Sequence, residues 1–227
     1  MTAYFVTSTG TDIGKTYVTA GIVRALRARG AAVSALKPVA SGYSPETAAA
    51  SDAGALLDAL GERVTADTVA RISPWRYAAA LSPDMAAARE GQMLDYGALV
   101  DFCRARVARN RGTLFIEGVG GVMVPLDASH TVRDWMAALG LPVILVAGSY
   151  LGTISHTLTA LDVLARARLR VAGIIINESE NSDVPLQETF ATLRRFVGSV
   201  AMLTLARGAE EREFAILWDK ITANAKP

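Results

Sequence analysis

Thr9-Gly10-Thr11-Asp12-Ile13-Gly14-Lys15-Thr16 decides how the rest of this chain is read. The apolar run Tyr4-Phe5-Val6 precedes it, and a helical pattern over Lys15–Arg29 follows. Strand, small-residue loop, Gly-Lys-Thr and helix form the layout of a phosphate-binding loop, in which N–H groups at a helix start and the helix dipole attract an anion. In that layout Lys15 reaches the β- and γ-phosphates and the Thr16 hydroxyl ligates Mg²⁺. The strict pattern places glycine at position 9, where this chain has Thr9. A loop one residue longer would place it at position 8, which is Ser8. Gly10 is then the expected source of positive φ inside the loop.

Working outward, the 227 residues alternate short apolar runs with helical stretches. Strands are expected at Tyr4–Thr7, Val33–Leu36, Leu114–Glu117, Val143–Ala147, Val171–Ile176 and Val200–Leu203. Helices are expected at Lys15–Arg29, Asp52–Leu60, Tyr96–Asn110, Val132–Leu139, Ile154–Ala167, Leu186–Val197 and Glu210–Ala223. Runs such as Val143-Ile144-Leu145-Val146 are apolar on both faces, which suits a parallel strand buried between helix layers. The alternation predicts a doubly wound α/β fold of the P-loop NTPase type, over one domain spanning 1–227. Ala40–Pro83, rich in Ala, Ser, Pro and Arg, reads as irregular loops around one helix. Trp135 and Met136 follow helical spacing and read as core or interface residues, and Phe214–Ile221 reads as an amphipathic segment packed on the sheet.

Composition narrows the function classes. Net charge is +1, which argues against a nucleic-acid surface. No apolar run approaches the ~18–20 residues of a membrane span. The first residues lack a basic flank and a cleavage pattern, so a cytoplasmic protein without a signal peptide is expected. Cys103 stands alone, and with His130 and His156 it makes no convincing zinc set.

Ligands of doubly wound sheets gather at the carboxyl ends of the strands. Four polar positions fall near that rim. Lys37 ends the second strand in Leu36-Lys37-Pro38-Val39-Ala40-Ser41-Gly42. An isolated Lys-Pro reads as a surface lysine, but near a triphosphate this ammonium would stay charged and could stabilise developing negative charge. Glu117 ends the third, in Glu117-Gly118-Val119-Gly120-Gly121, where P-loop NTPases hold Mg²⁺. Its alternative is a loop or capping acid. Asp52 reads either as a first-turn helix acid or as a second metal carboxylate. Asn177 reads either as a turn residue or as a reader of an adenine edge.

Taken together, these blocks resemble the dethiobiotin synthetases. The resemblance also takes in Ser51-Asp52-Ala53, Leu81-Ser82-Pro83, Pro125-Leu126, Leu141–Val146, and Leu151-Gly152-Thr153-Ile154 with His156; it fades after Asn177. It implies a P-loop fold and an ATP- and Mg²⁺-dependent ligase of biotin biosynthesis that carboxylates 7,8-diaminononanoate with CO₂ and closes its ring. The route passes through a carbamate and a carbamic–phosphoric anhydride. By the same resemblance, Lys37, Lys15, Thr11 and Ser41 are catalytic. ATP contacts fall to Asp12, Ile13, Gly14, Lys15, Thr16, Tyr17, Asp52, Glu117, Gly118, Val119, Gly120 and Asn177, with Met202–Leu205 beside the adenine. Thr16, Asp52 and Glu117 hold Mg²⁺. Substrate contacts fall to Thr11, Lys37, Ser41, Leu151, Gly152 and Ser155, the last three reaching a partner subunit's substrate in a homodimer. No nucleic acid or membrane partner is implied.

The sequence departs from the family at Ser8, where glycine is frequent, and at Asp12, where glutamate is. It also departs at Ser155 (asparagine), at Asp84 (histidine) and at Leu203, near which the family often has proline. The rival reading is a partition-type ATPase switch, whose signature lysine would stand at Gly10. An amide-forming relative acting on cobalamin precursors is a weaker rival. A nicotinamide-binding oxidoreductase lacks its Gly-x-Gly-x-x-Gly after the first strand.

Overall fold

The computed structural model describes residues 2–223. Six strands form one sheet: β1 (Thr2–Ser8), β2 (Val33–Leu36), β5 (Thr113–Gly121), β6 (Val143–Gly148), β7 (Val171–Asn177) and β8 (Met202–Leu205). Their spatial order is β2-β5-β1-β6-β7-β8, and every neighbouring pair is parallel. β6 is buried at all of its positions, as its unbroken apolar run requires of a strand covered on both faces. The doubly wound α/β architecture expected from the alternation is therefore the one observed.

Side chains leave β1 to opposite faces, and each face has its own aromatic lock. Phe5 meets Trp135 of α6 (Val132–Leu139) edge to face at 4.8 Å. On the other face, Tyr4 and its cross-strand neighbour Phe115 both meet Trp218 of α9 (Glu211–Ala223), at 5.1 and 5.3 Å. Such edge contacts suit the ring quadrupole and add to the area buried. Of the two readings their spacing allows, Trp135 and Met136 take the core one, both being fully buried. α9 lies against α1 (Lys15–Ala28), where Gly21 lets the two helices close: a Cβ there would land on the Phe214 ring.

The segment read as loops around one helix carries more order than expected. A 3-10 helix spans Pro45–Ala50, followed by α2 (Asp52–Leu60), α3 (Ala66–Ile72) and α4 (Pro83–Arg89). Short strands β3 (Val39–Ser41) and β4 (Trp75–Tyr77) pair in parallel as a separate two-stranded sheet. This second sheet holds the stretch after Lys37 against the rim of the main one. The remaining helices are α5 (Tyr96–Arg109), α7 (Thr153–Arg166) and α8 (Leu186–Arg194). The last strand begins two residues later than expected, because Val200 and Ala201 lead into it without joining the ladder as strand residues.

One irregularity shapes the site. β1 and β5 run in register from Thr2↔Thr113 to Val6↔Glu117, and the register then shifts so that Ser8 faces Gly121. β5 spends two extra residues there. The extra length falls in Gly118-Val119-Gly120, immediately beyond Glu117 and beneath the phosphate loop.

Candidate active site

The loop between β1 and α1 is bent by two left-handed residues, Asp12 (φ 56°) and Gly14 (φ 92°). Gly10 does not supply the positive φ expected of it; Asp12, a residue type that tolerates this region, does. Such turns make anion-binding concavities of the backbone. Gly14 caps α1 without a side chain, so among the described residues no side-chain cap bonds the N–H groups of the helix start. Glycine is required there twice over, since a Cβ would also strike the Asn177 amide.

Around this loop the fold gathers side chains from four elements. Lys37, at the end of β2, is 2% exposed. Its Nζ donates to Glu117 Oε1 at 2.8 Å and to the Gly118 carbonyl at 2.9 Å, and it pairs with Asp52 Oδ2 at 2.7 Å. Thr16 Oγ1 donates to the same Glu117 oxygen at 2.6 Å. Lys15 Nζ donates to Ser8 Oγ at 3.2 Å. Local chemistry explains these placements. Pro38 has no N–H and biases Lys37 toward extended backbone, while the Lys37 N–H bonds the Ile72 carbonyl. Ser51 caps α2 by accepting from the Gly54 N–H, which leaves Asp52 in the first turn with its carboxylate free to reach Lys37. Asp52 is thus both a first-turn acid and part of the cluster.

The electrostatics follow from that geometry. Burial opposes the charged form of Lys37, but the Glu117 and Asp52 carboxylates outweigh it and raise its pKa. Burial likewise works against the Asp52 carboxylate, and the Lys37 ammonium overcomes it, holding Asp52 below its usual range. Lys15 lacks such pairing: burial, and then the like charge of Lys37, lowers it to about 8. An incoming polyphosphate would supply the missing counter-charge.

The cluster forms the floor of an open cleft of about 800 Å³. Thr11, Asp12, Lys15, Thr16, Lys37, Ser41, Asp52, Val119 and Gly120 line it, and the Ser41 hydroxyl is buried there without a partner. Tyr43, Leu81, Pro83 and Val124 give it apolar walls. Other residues expected at the site are outside the lining of this cleft. Asn177 faces the back of the loop, where its amide donates to the Ile13 carbonyl at 3.1 Å. Its side chain therefore braces the loop. Tyr17 packs edge to face on Phe214 and does not line the cleft. Met202–Leu205 forms β8, pairing Asn177 with Leu205. Leu151, Gly152 and Ser155 sit at the start of α7, outside this chain's own cleft, with Leu151 91% exposed. The sequence reading missed Ser8 as a partner of Lys15; a hydroxyl one residue before the loop was its only signal.

Magnesium fits the donors present. Glu117 is 0% exposed, yet among the described residues its Oε2 has no hydrogen-bond partner. A buried carboxylate oxygen without a partner is costly unless a cation meets it. With Thr16 Oγ1 and Asp52 it makes a hard oxygen set of the kind Mg²⁺ prefers, the remaining positions being left to water and phosphate. Among the described residues there is no cluster of three or more His, Cys, Asp or Glu side chains suited to a metal, and no helix is long and apolar enough to cross a membrane.

The AAA domain family model matches residues 2–207. An ATP-dependent dethiobiotin synthetase BioD of Acidiphilium cryptum is 51% identical over 88% of this chain and 90% of its own. The BioD of Caulobacter sp. is 48% identical over 100% of this chain and 97% of its own. Among solved structures, the cell division ATPase MinD of Pyrococcus furiosus is similar in fold alone, with a TM-score of 0.56 at 16% identity over 98% of this chain and 99% of that one. With 48–51% of aligned residues shared with these synthetases over most of its length, the chain belongs to the dethiobiotin synthetase family.

Proposed function

We propose that this chain catalyses the ATP-dependent carboxylation and ring closure of 7,8-diaminononanoate to dethiobiotin, releasing ADP and phosphate. The observation that carries this reading is the Lys37 ammonium, buried between Glu117 and Asp52 beside Lys15 and Thr16. The signature lysine of the partition ATPases would stand at position 10, which is Gly10 here, while this chain's second lysine comes from the end of β2.

In the reaction, one substrate amine adds to CO₂ and loses a proton, giving a carbamate. A carbamate oxygen attacks the γ-phosphorus of ATP, and ADP leaves. The second amine then attacks the carbamoyl carbon, closing the ring and expelling phosphate. Lys37 neutralises the carbamate, with Thr11 and Ser41 as hydrogen-bond partners; the unpartnered Ser41 hydroxyl suits that task. Lys15 neutralises charge on the transferring phosphoryl group. Thr16, Asp52 and Glu117 would hold Mg²⁺, which supplies further neutralisation of the phosphates when bound. Apolar walls from Tyr43, Leu81 and Val124 suit an alkyl chain. The start of α7 at Leu151, Gly152 and Ser155 would take the substrate carboxylate of a partner subunit, as a helix N-terminus suits an anion.

The test is incubation with 7,8-diaminononanoate, labelled bicarbonate, ATP and Mg²⁺. Acid-stable label in a cyclic urea, matched by ADP release, is expected. Hydrolysis of ATP that responds to DNA or lipid, with no label fixed, would reject the assignment.

A further inference from the structure

Ser8 ends β1 directly under the phosphate loop and is 0% exposed. Its hydroxyl proton faces two carbonyls, that of Gly10 at 2.5 Å and that of Gly120 at 3.1 Å. A hydroxyl has one proton to give, so these acceptors commit it, and only lone pairs remain to face Lys15. Ser8 therefore meets the Lys15 ammonium as an acceptor, and the orientation cannot reverse without abandoning both carbonyls. Among the described residues this is the one hydrogen bond that Lys15 Nζ makes. An ammonium carries three N–H donors, so two are left for phosphate oxygens. The same hydroxyl ties the loop backbone at Gly10 to the displaced stretch of β5 at Gly120, where the register shift occurs.

We propose, resting on the nucleotide-binding reading above, that Ser8 is a positioning residue for β-phosphate recognition, fixing the Lys15 ammonium in place before the nucleotide arrives. A lysine stem without this acceptor would sample several rotamers around a site that already disfavours its charge. Loss of the hydroxyl then costs affinity only for ligands whose phosphates Lys15 touches. Nucleotides that stop at the α-phosphate do not sense it.

The measurement compares ADP and AMP binding, by calorimetry and ligand-observed NMR in magnesium buffer, for the parent, Ser8→Ala and Ser8→Gly. Ser8→Ala is expected to weaken ADP binding about tenfold, as loss of a charge-assisted hydrogen bond does, with AMP binding unchanged. Ser8→Gly, which adds no atoms, should do the same. Ser8→Thr keeps the hydroxyl and should restore ADP binding to within about threefold of the parent. Unchanged ADP affinity in both hydroxyl-free variants overturns the proposal. So does a parallel loss of AMP, which would mean a distorted loop. Failure of the parent protein to bind ADP at all would instead reject the nucleotide reading itself.

Discussion

Replacing Lys37 by methionine keeps most of the buried stem and removes only the ammonium that two carboxylates share. The magnitude follows from the geometry. Asp52 Oδ2 and Glu117 Oε1 lie 2.7 and 2.8 Å from that nitrogen. They are then at most about 5.5 Å apart, a separation at which two unit charges repel by about 3 kcal/mol at an effective permittivity near ~20. The Asp52 side chain is 49% exposed, so water screens part of this, leaving a loss of about 1–3 kcal/mol. The pH dependence has a definite sign. Asp52 in the parent is depressed by Lys37 against the pull of burial, so its stabilisation is present above the unfolded value near ~4 and is lost as pH falls through the folded one. Without Lys37 that contribution is gone, and one of the two acids takes up a proton more readily. The deficit of the variant should therefore be largest at pH ~8 and shrink toward pH ~4. Urea denaturation of both proteins at the two pH values measures it. A deficit of equal size at both, or none at pH ~8, would refute the picture of one ammonium holding two carboxylates together.

Three further outcomes follow. Nucleotide affinity, measured by calorimetry, should fall about fivefold between pH ~8 and pH ~9, with proton uptake on binding, because free Lys15 titrates at about 8 and phosphates favour its charged form; a flat profile would contradict the buried, unpaired setting of Lys15. Gly14→Ala should abolish detectable ADP binding, since alanine is strained at φ 92° and its Cβ collides with Asn177; retention of ordinary affinity would show that the loop need not keep this bend. Gly21→Ala should destabilise by about 1–3 kcal/mol although alanine favours helix, through overpacking on Phe214. Phe214→Leu should recover part of that loss, and additive effects in a double-mutant cycle would argue against direct contact.

Much of this arrangement was legible in the sequence where long periodic segments carried it. The strand before Thr9, the helix after Gly14 and the fully apolar β6 announced their types, because each repeats its pattern over enough residues to be read. Lys37 and Glu117 were recognisable as strand-end residues, but their meeting was not. They are joined through the order β2-β5-β1, a matter of crossovers that no local pattern records. The helices Ala66–Ile72 and Pro83–Arg89 escaped notice because seven residues make fewer than two turns of a pattern. β3 and β4 escaped for a similar reason: three residues each, paired across a long insertion, they leave almost no alternation to detect. Ser8 looked like a defect in the loop motif, since its role depends on the register shift that brings Gly120 within reach.

The meeting of Trp218 with Tyr4 and Phe115 has a consequence for the chain during its synthesis. Tyr4 leaves the ribosome about two hundred residues before Trp218, a delay of about 10–40 s at ordinary elongation rates. Throughout that interval the patch that Trp218 covers is bare, although α1 beside it has already been made. A ribosome stalled before α9 would hold that uncovered patch open to chaperones and to other nascent chains.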